Sequence, residues 1–448
     1  MTKSENPLPK PSSITGFTDY SEQEHFEINR WKTIVNTTFE EFGFTRFSLR
    51  PVEKKEHLMK GGIGNQVYAL ARFDGTGSIK LGLPYDHTVP FALWVAQRVG
   101  AITFPLKRSD LELSFRGERA QAGRFRGFIQ ADIDIIDRNM SILSDYECIK
   151  CIINTLSRLN VGAFTLSINH MSIATGLINS FEIPKEKFAD VCISIDKLDK
   201  CSASEIVTDI VEKLDEYQIT KKQIENLIDS FLFEGSLEEF SNKFAHHHPL
   251  IQAGVTELKN LYNLLISTKI NPDLFQFKPR IIRGLNYYTG VVFESHLVGK
   301  ESIGSIASGG RYSNLIGEFN QSCLDINGVG ASIGLTRLFD IMITRSNQEL
   351  KRKSIANCMV AYEKKEDIPK AIKLAEELRQ HGLKVDLYTG ENTKLKKELS
   401  YADKKGIPCC FILLEDQILL KYFKSNSQVE ISQINDSIIS SILKEDAY

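Results

Sequence analysis

The 448-residue chain has no apolar run of the ~18–20 residues that a membrane-spanning helix needs. It also lacks a surplus of either charge: 55 Lys and Arg stand against 57 Asp and Glu, for a net charge of -2. This excludes a globally basic nucleic-acid coat and an acidic disordered tail protein, but leaves room for a local basic site. The opening MTKSENPLPKPSS has no apolar stretch, so a short flexible lead is expected rather than a secretory signal. Cysteine is sparse, with eight in the chain: Cys148, Cys151, Cys192, Cys201, Cys323, Cys358, Cys409 and Cys410. At that density, and without an export signal, reduced thiols in a cytoplasmic protein are expected. Internal repeats and low-complexity tracts are missing too. What remains is the composition of an ordinary globular protein, 42% hydrophobic and 25% charged. At roughly 100–200 residues per domain it holds two to four of them.

Two motifs carry chemistry only in the right setting. Cys148 and Cys151 have C-x-x-C spacing inside the helical run DYECIKCIINTLSRL, with no second Cys/His pair at zinc-finger spacing. Two small core residues and a redox or zinc site both fit it. His246-His247-His248, followed by Pro249, has no acidic or Cys neighbour and reads as a solvated loop or an adventitious metal contact.

Ser21-Glu22-Gln23-Glu24 is a capping-box pattern. Ile28, Trp31, Ile34, Val35, Phe39 and Phe42 then recur at helical spacing up to Gly43, and a strand is expected over 45–50 before Pro51. Residues 62–139 read as strands and turns, with a hairpin signal at Asp74-Gly75-Thr76-Gly77. Leu111–Arg116 and Phe128–Ile136 read as antiparallel strands joined by a long polar loop. Along the second of these, Gln130, Asp132 and Asp134 share one face, which is either solvated or lines a polar pocket. Residues 185–275 are Lys, Glu, Ile and Leu at helical spacing, a helical insertion. From Arg280 strand character resumes, with Gly-rich turns expected at 308–311 and 328–334. After the basic stretch at 351–354, strands and helices alternate, which implies a parallel α/β sheet.

Three segments combine Arg with Gly and aromatics where a core would not want them. From Lys107 to Arg126 there are six basic and three acidic residues, and Arg116, Arg119, Arg124 and Phe125 suit a polyphosphate and a stacked base. A solvated basic hairpin would read the same way. Arg283-Gly284-Leu285-Asn286-Tyr287-Tyr288-Thr289-Gly290 offers hydroxyl donors between glycines, or a tight turn with core tyrosines. Gly328 to Arg337 has G-x-G-x-x-x-G spacing, with no acidic residue at the distance a dinucleotide fold requires. A strand–helix turn with an Arg one turn into the helix fits it better.

Together these segments resemble a class II aminoacyl-tRNA synthetase, and specifically the histidyl-tRNA synthetase family, over about residues 14–440. The helix–strand–Pro51 unit looks like motif 1, Phe115 through Asp134 like motif 2 and Gly330–Arg337 like motif 3. Arg283–Gly290 and Gly309-Gly310-Arg311-Tyr312 look like the two histidine signatures.

The resemblance implies an α+β catalytic core with an antiparallel sheet, a helical insertion, and a C-terminal α/β domain with a mixed, mainly parallel sheet. It implies a lead over 1–13, catalytic segments at 14–184 and 276–350 around an insertion at 185–275, and an anticodon-binding domain at 351–448. Arg116 and Arg283 would be catalytic, at the α-phosphate. Arg116, Arg124, Phe125 and Arg337 would bind ATP. Asp86, Thr88 and Gln130 would hold the amino group of histidine, Asp134, Tyr287 and Tyr288 its imidazole, and Arg283 its carboxylate. Arg119 and Gln121 would meet the acceptor end of the tRNA. Gly309–Tyr312 would be a wall of the histidine pocket. Mg²⁺ would accompany the phosphates of ATP, although the sequence holds no dedicated metal-ligand cluster, and the enzyme would be a homodimer.

The sequence departs from the family pattern in places. Asn286 stands where Asp is usual, and Pro84-Tyr85 and Leu93 where Arg is frequent. Segments 413–415 and 421–424 follow the pattern loosely. Two other classes share the framework: a non-catalytic synthetase-like regulatory subunit of histidine biosynthesis, and a ligase charging a non-tRNA carrier. Retention of Arg116, Arg124, Arg283 and Arg337, with the C-terminal segment, speaks against the first; the same segment, with Arg119 and Gln121, speaks against the second.

Overall fold

The computed structural model describes residues 11–59, 66–75, 80–121, 123–198, 201–282, 288–344, 350, 352–390, 394–415 and 417–446. They fall into two compact units, one drawn from 1–18 and 33–346, the other from 19–32 and 347–448.

Helix α1 (Glu22–Glu41) starts on the expected capping box. The Ser21 N–H donates to Glu24 Oε2 at 2.8 Å, and the Glu24 N–H donates back to Ser21 Oγ at 3.3 Å. Gly43, at φ +77°, turns the chain out of the helix. Strand β1 (Thr45–Arg46) is shorter than expected. Phe47 still donates to Ser109 O at 2.8 Å, after which the chain leaves the ladder for Pro51, which has no N–H to offer it. A small antiparallel sheet follows from β2 (Glu53–Lys54), β3 (Ala69–Leu70) and β4 (Leu81–Gly82), with α2 (Lys55–Leu58) between the first two. Thr76 and Gly77 of the hairpin signal lie outside the described residues.

The remaining elements of this unit build one large sheet and its cover. In chain order they are α3 (Thr88–Arg98), β5 (Leu106–Phe115), β6 (Gly127–Asp137), α4 (Ile142–Arg158), β7 (Phe164–His170) and α5 (Met171–Ser180). Then come α6 (Phe188–Ile195), α7 (Ala203–Lys213), α8 (Lys221–Phe231), α9 (Leu237–Phe244) and α10 (Pro249–Ser267). The unit closes with β8 (Phe275–Phe277), β9 (Tyr288–Leu297), β10 (Ala307–Tyr312), β11 (Asn327–Gly334) and α11 (Leu335–Phe339).

The sheet order is β1-β5-β6-β11-β10-β9-β7-β8. Pairing is antiparallel through the middle and parallel only at the edges, β1 with β5 and β7 with β8. Helix α4 buries Cys148 and Cys151 against the sheet, and the Cys148 thiol reaches Val329 O at 3.6 Å. Both are free thiols, and burial pushes both up. The C-x-x-C spacing therefore marks a core face of a helix.

Two expectations are corrected. Residues 308–311 and 328–334 lie in strands β10 and β11, not in turns. Their glycines answer close approach across the sheet: a Cβ at Gly309 would overlap the Gly330 carbonyl, and one at Gly330 the Asp134 carboxylate. The three histidines are not a plain solvated loop either. Ala245–His247 form a 3₁₀ turn, and His248 Nδ1 accepts from the Leu250 N–H at 3.2 Å, capping α10.

The second unit holds β12 (Cys358–Tyr362), α12 (Ile368–Gln380), β13 (Val385–Leu387), α13 (Leu395–Lys405), β14 (Cys409–Leu413), β15 (Ile418–Tyr422), β16 (Ser427–Ile431) and α14 (Asp436–Asp446). Its sheet, β13-β12-β14-β15-β16, is mixed. Parallel pairing is confined to the first three strands, and β15 and β16 add an antiparallel half, so it is not mainly parallel. Alternation along β12 and β14 explains the layering: Cys358, Val360 and Phe411 pack on Ala371, Leu374 and Leu378 of α12, while Met359, Ala361 and Ile412 pack beside Ala402 of α13. Lys353, Lys394, Lys396, Lys397, Lys404 and Lys405 line one cavity, where Lys405 donates to Glu22 at 2.6 Å. Among the described residues, no helix is long and apolar enough to cross a membrane.

Candidate active site

Strand β6 supplies the floor of the site. Gln130, Asp132 and Asp134 point to one side of it, and all three are buried. With Asp86, Thr88, Arg116, Tyr288 and Tyr312 they line a small polar pocket of about 60 Å³. A row of polar groups on an otherwise apolar central strand is costly unless the groups meet partners. Asp86 stands just before α3 and accepts from the Val89 N–H at 3.1 Å, in the first turn of that helix. Burial pushes its carboxyl up. The Gln130 amide donates to Ser332 Oγ of β11 at 2.7 Å.

Asp134 is the most constrained member. Arg108 on β5 stands opposite it in register, with Nη2 2.6 Å from Asp134 Oδ2. The Tyr312 hydroxyl donates to Asp134 Oδ1 at 2.9 Å. Burial pushes the Asp134 carboxyl up to about 7, against the pull of Arg108. Arg108 is wholly buried and also pairs with Asp110, whose carboxyl burial raises to about 6. Burial opposes the Arg108 charge, but Asp110 and Asp134 hold it above its ordinary value. Arg108 was not singled out in the sequence. Its signal was present: an Arg two residues before an Asp on a strand whose neighbour carries a carboxylate row.

Next to the pocket lies a larger cavity of about 480 Å³, within the range of ligand sites. Arg116, Arg124, Phe125 and Arg337 line it. Arg337 sits one turn into α11, as its strand–helix setting predicts. Its Nε donates to Gly123 O at 2.7 Å and its Nη1 to Ser305 O at 2.8 Å. Burial, and then the charges of Arg124 and Arg116, push this guanidinium down, so three cations converge where an anion would relieve them. Arg116 lines both cavities. Its guanidinium lies 4.4 Å over the Tyr85 ring and 5.0 Å over that of Phe128, which turns the departure at Tyr85 into a support. Leu93, the other departure near it, is buried in α3.

Arg119 and Gln121 are exposed in the loop between β5 and β6. Gln121 and Arg124 exchange backbone hydrogen bonds at 3.2 and 2.8 Å, and Gly123 between them has φ +69°. Arg311 takes no part in the pocket: it turns to the opposite side of β10 and pairs with the buried Asp145 of α4, Nε to Oδ1 at 3.2 Å. Of Gly309–Tyr312, Tyr312 reaches the pocket with a side chain. Arg283, Asn286 and Tyr287 lie outside the described residues.

A mainly antiparallel sheet, with a carboxylate-rich pocket opening onto a cluster of arginines at the motif 2 loop, defines a class II aminoacyl-tRNA synthetase catalytic unit. Residues 16–338 match the family model described as histidyl-tRNA synthetase, and 357–433 the anticodon binding domain. The chain belongs to the histidyl-tRNA synthetase family. It is 36% identical over 417 residues to a histidine–tRNA ligase of Wolinella succinogenes, covering 92% of this chain and 93% of that one. It is 32% identical over 448 residues to the one of Nostoc sp., covering 94% and 95%. The crystal structure of histidyl-tRNA synthetase from Nostoc sp. PCC 7120 superposes with a TM-score of 0.83 at 30% identity, over 97% of this chain and 99% of that one. An ATP phosphoribosyltransferase regulatory subunit/histidyl-tRNA synthetase from Bacillus halodurans, at 19% identity and a TM-score of 0.69, shares the fold alone. The chain is an aminoacyl-tRNA ligase that uses ATP to join histidine to tRNA.

Proposed function

We propose that histidine occupies the small pocket, ATP the arginine-lined cavity, and that Arg116 works at their junction. Asp86, Thr88 and Gln130 take the α-amino group, while Asp134, with Tyr287 and Tyr288, takes the imidazole. Arg124 and Arg337 grip the β- and γ-phosphates, and Phe125 stacks on adenine. The histidine carboxylate attacks the α-phosphorus, charge builds on its oxygens, and pyrophosphate leaves. Arg116 stabilises that charge, and by resemblance Arg283 does so from the carboxylate side. The tRNA 3′ hydroxyl then attacks the carbonyl and AMP departs. Most of the rate comes from holding two substrates in register under fixed positive charge.

Mg²⁺ travels with the nucleotide phosphates. Among the described residues no group of three or more His, Cys, Asp or Glu could hold a metal ion, but Glu118 and Glu294, which line the cavity, would offer the carboxylate oxygens that this ion prefers, and the ion would supply further neutralisation of phosphate charge. Arg119 and Gln121, exposed beside the cavity, meet the acceptor end of the tRNA, and the lysine face of α13 in the second unit meets its backbone. The motif 1 helix and strand form the interface of a homodimer. Eight cysteines that form no disulfide suit the cytoplasm.

The observation that carries this reading is that Arg116 lines both cavities. It is tested by histidine-dependent ATP–pyrophosphate exchange. Arg116→Ala should lower the exchange rate about 10²–10³-fold, as the loss of a transition-state donor does elsewhere. Exchange near the parent rate would remove Arg116 from the chemistry. Arg283→Ala is expected to abolish adenylate formation and leave thermal stability nearly unchanged.

A further inference from the structure

Among the residues lining the small pocket, three buried acceptor oxygens have no hydrogen-bond partner: Asp86 Oδ2, Gln130 Oε1 and Asp132 Oδ1. Asp86, Gln130 and Asp132 are only 9%, 8% and 4% exposed, and all three line the same small pocket. A buried acceptor left unmet is expensive, so three around one cavity call for a ligand that brings donors. What the other atoms of these residues do narrows the choice. The second Asp86 oxygen is taken by the Val89 N–H, and the Gln130 amide nitrogen by Ser332. Asp86 and Gln130 are thus each anchored at one end and leave one acceptor over. Asp132 lies between Asp110 on β5 and Ser332 on β11 in register. The buried cation Arg108 pairs with Asp110 and Asp134. Among the described residues, the Asp132 charge is therefore not matched by an ion pair of its own.

An ammonium group has three N–H donors, no acceptor and one positive charge. Three unmet acceptors, two of them carboxylates, are its complement. We propose that Asp132 is a further specificity-determining residue, accepting one N–H of the α-ammonium of histidine beside Asp86 and Gln130. Thr88, whose hydroxyl donates as well as accepts, completes the set without needing a ligand proton. The inference rests on the placement of histidine in this pocket. It assigns to Asp132 a share of the selection for an amino acid over the same side chain lacking the amino group.

The test uses the full-length chain and isothermal titration with two ligands: histidine, and 3-(imidazol-4-yl)propanoate, which lacks the amino group. Asp132→Asn keeps the shape and removes the charge, and Asp86→Asn is run beside it. Asp132→Asn should weaken histidine binding by about tenfold or more, the scale of one hydrogen bond to a charged group, and leave propanoate binding unchanged or tighter. Undiminished histidine affinity in Asp132→Asn alone would overturn the role of Asp132 and leave the pocket assignment standing. Undiminished affinity in both variants would overturn the pocket assignment itself. Equal loss for both ligands in Asp132→Asn would make the residue structural, a prop of the Arg108 cluster, and would also overturn the proposal.

Discussion

Replacing Tyr312 by Phe tests how the Asp134 end of the pocket, the proposed seat of the imidazole, is tuned. The phenol donates to Asp134 Oδ1 at 2.9 Å from within the core, where it packs among Val89, Leu315 and Ile316, so a phenyl ring fills the same space. Burial holds the Asp134 carboxyl near 7, while Arg108 and the Tyr312 hydroxyl both favour its ionised form. A hydrogen bond to a charged group is worth about 1.5–3 kcal/mol. At 1.36 kcal/mol per pH unit, deleting it should move the carboxyl up by about one to two units. In the proposed role the ionised carboxylate accepts from an imidazole N–H. The histidine KM of the parent should therefore fall as pH rises through about 7 and then level off. In Tyr312→Phe the same curve should lie about one to two units higher, with a KM about tenfold above the parent near neutrality and convergence in alkaline buffer. Pyrophosphate exchange across the range from weakly acid to alkaline pH measures both curves. Superimposed curves would refute the tuning, and so would a rise in KM of the same size at every pH, which would mean that the phenol only shapes the pocket. By linkage, the ligand-free fold should lose stability as pH rises from 3.8, the ordinary value for Asp, towards about 7, because the folded state holds the proton more tightly.

Arg311→Leu strips the buried Asp145 of its cation; breaking such a pair costs about 3–5 kcal/mol, less whatever protonation recovers. Burial already raises the Asp145 carboxyl against Arg311, so the drop in melting temperature should be larger in alkaline than in acid buffer. An equal drop in both would contradict the pairing. Exchanging Lys396, Lys397 and Lys404 for Glu should weaken tRNA binding and flatten its salt dependence by about one unit of slope for each phosphate no longer neutralised, with pyrophosphate exchange retained. An unchanged salt slope would clear that face of any part in binding. Of the eight thiols, only Cys201 is not fully buried, so maleimide should label one site quickly in the native protein and all eight in denaturant. Rapid native labelling at Cys148 or Cys151 would show that α4 does not pack as described.

The fold was legible where local chemistry and burial agree. The Ser21/Glu24 box, the strand pair around the motif 2 loop and the polar row of Gln130, Asp132 and Asp134 were all readable from spacing. The glycines of 308–311 and 328–334 misled because the usual meaning of glycine is a turn. Here the demand comes from a neighbouring strand that is far away in the sequence. Arg108 and the Tyr312–Asp134 bond were hidden for the same reason: what gives them meaning is register across the sheet, and register is not local. The antiparallel half of the second sheet was missed because β16 is largely exposed and carries no apolar run to announce it.

The glycines of β10 and β11 also determine what the small pocket is made of. Behind Asp134 the wall is peptide, not side chain, and no atom stands between Gly330 and the carboxylate. Side-chain walls can be trimmed or enlarged one substitution at a time. A peptide wall can only be encroached upon, since every replacement of glycine adds atoms. On this side the pocket already stands at the largest size its sheet permits. A variant accepting a bulkier amino acid would have to gain its room elsewhere, at walls made of side chains such as the half-buried Thr88 and Tyr288.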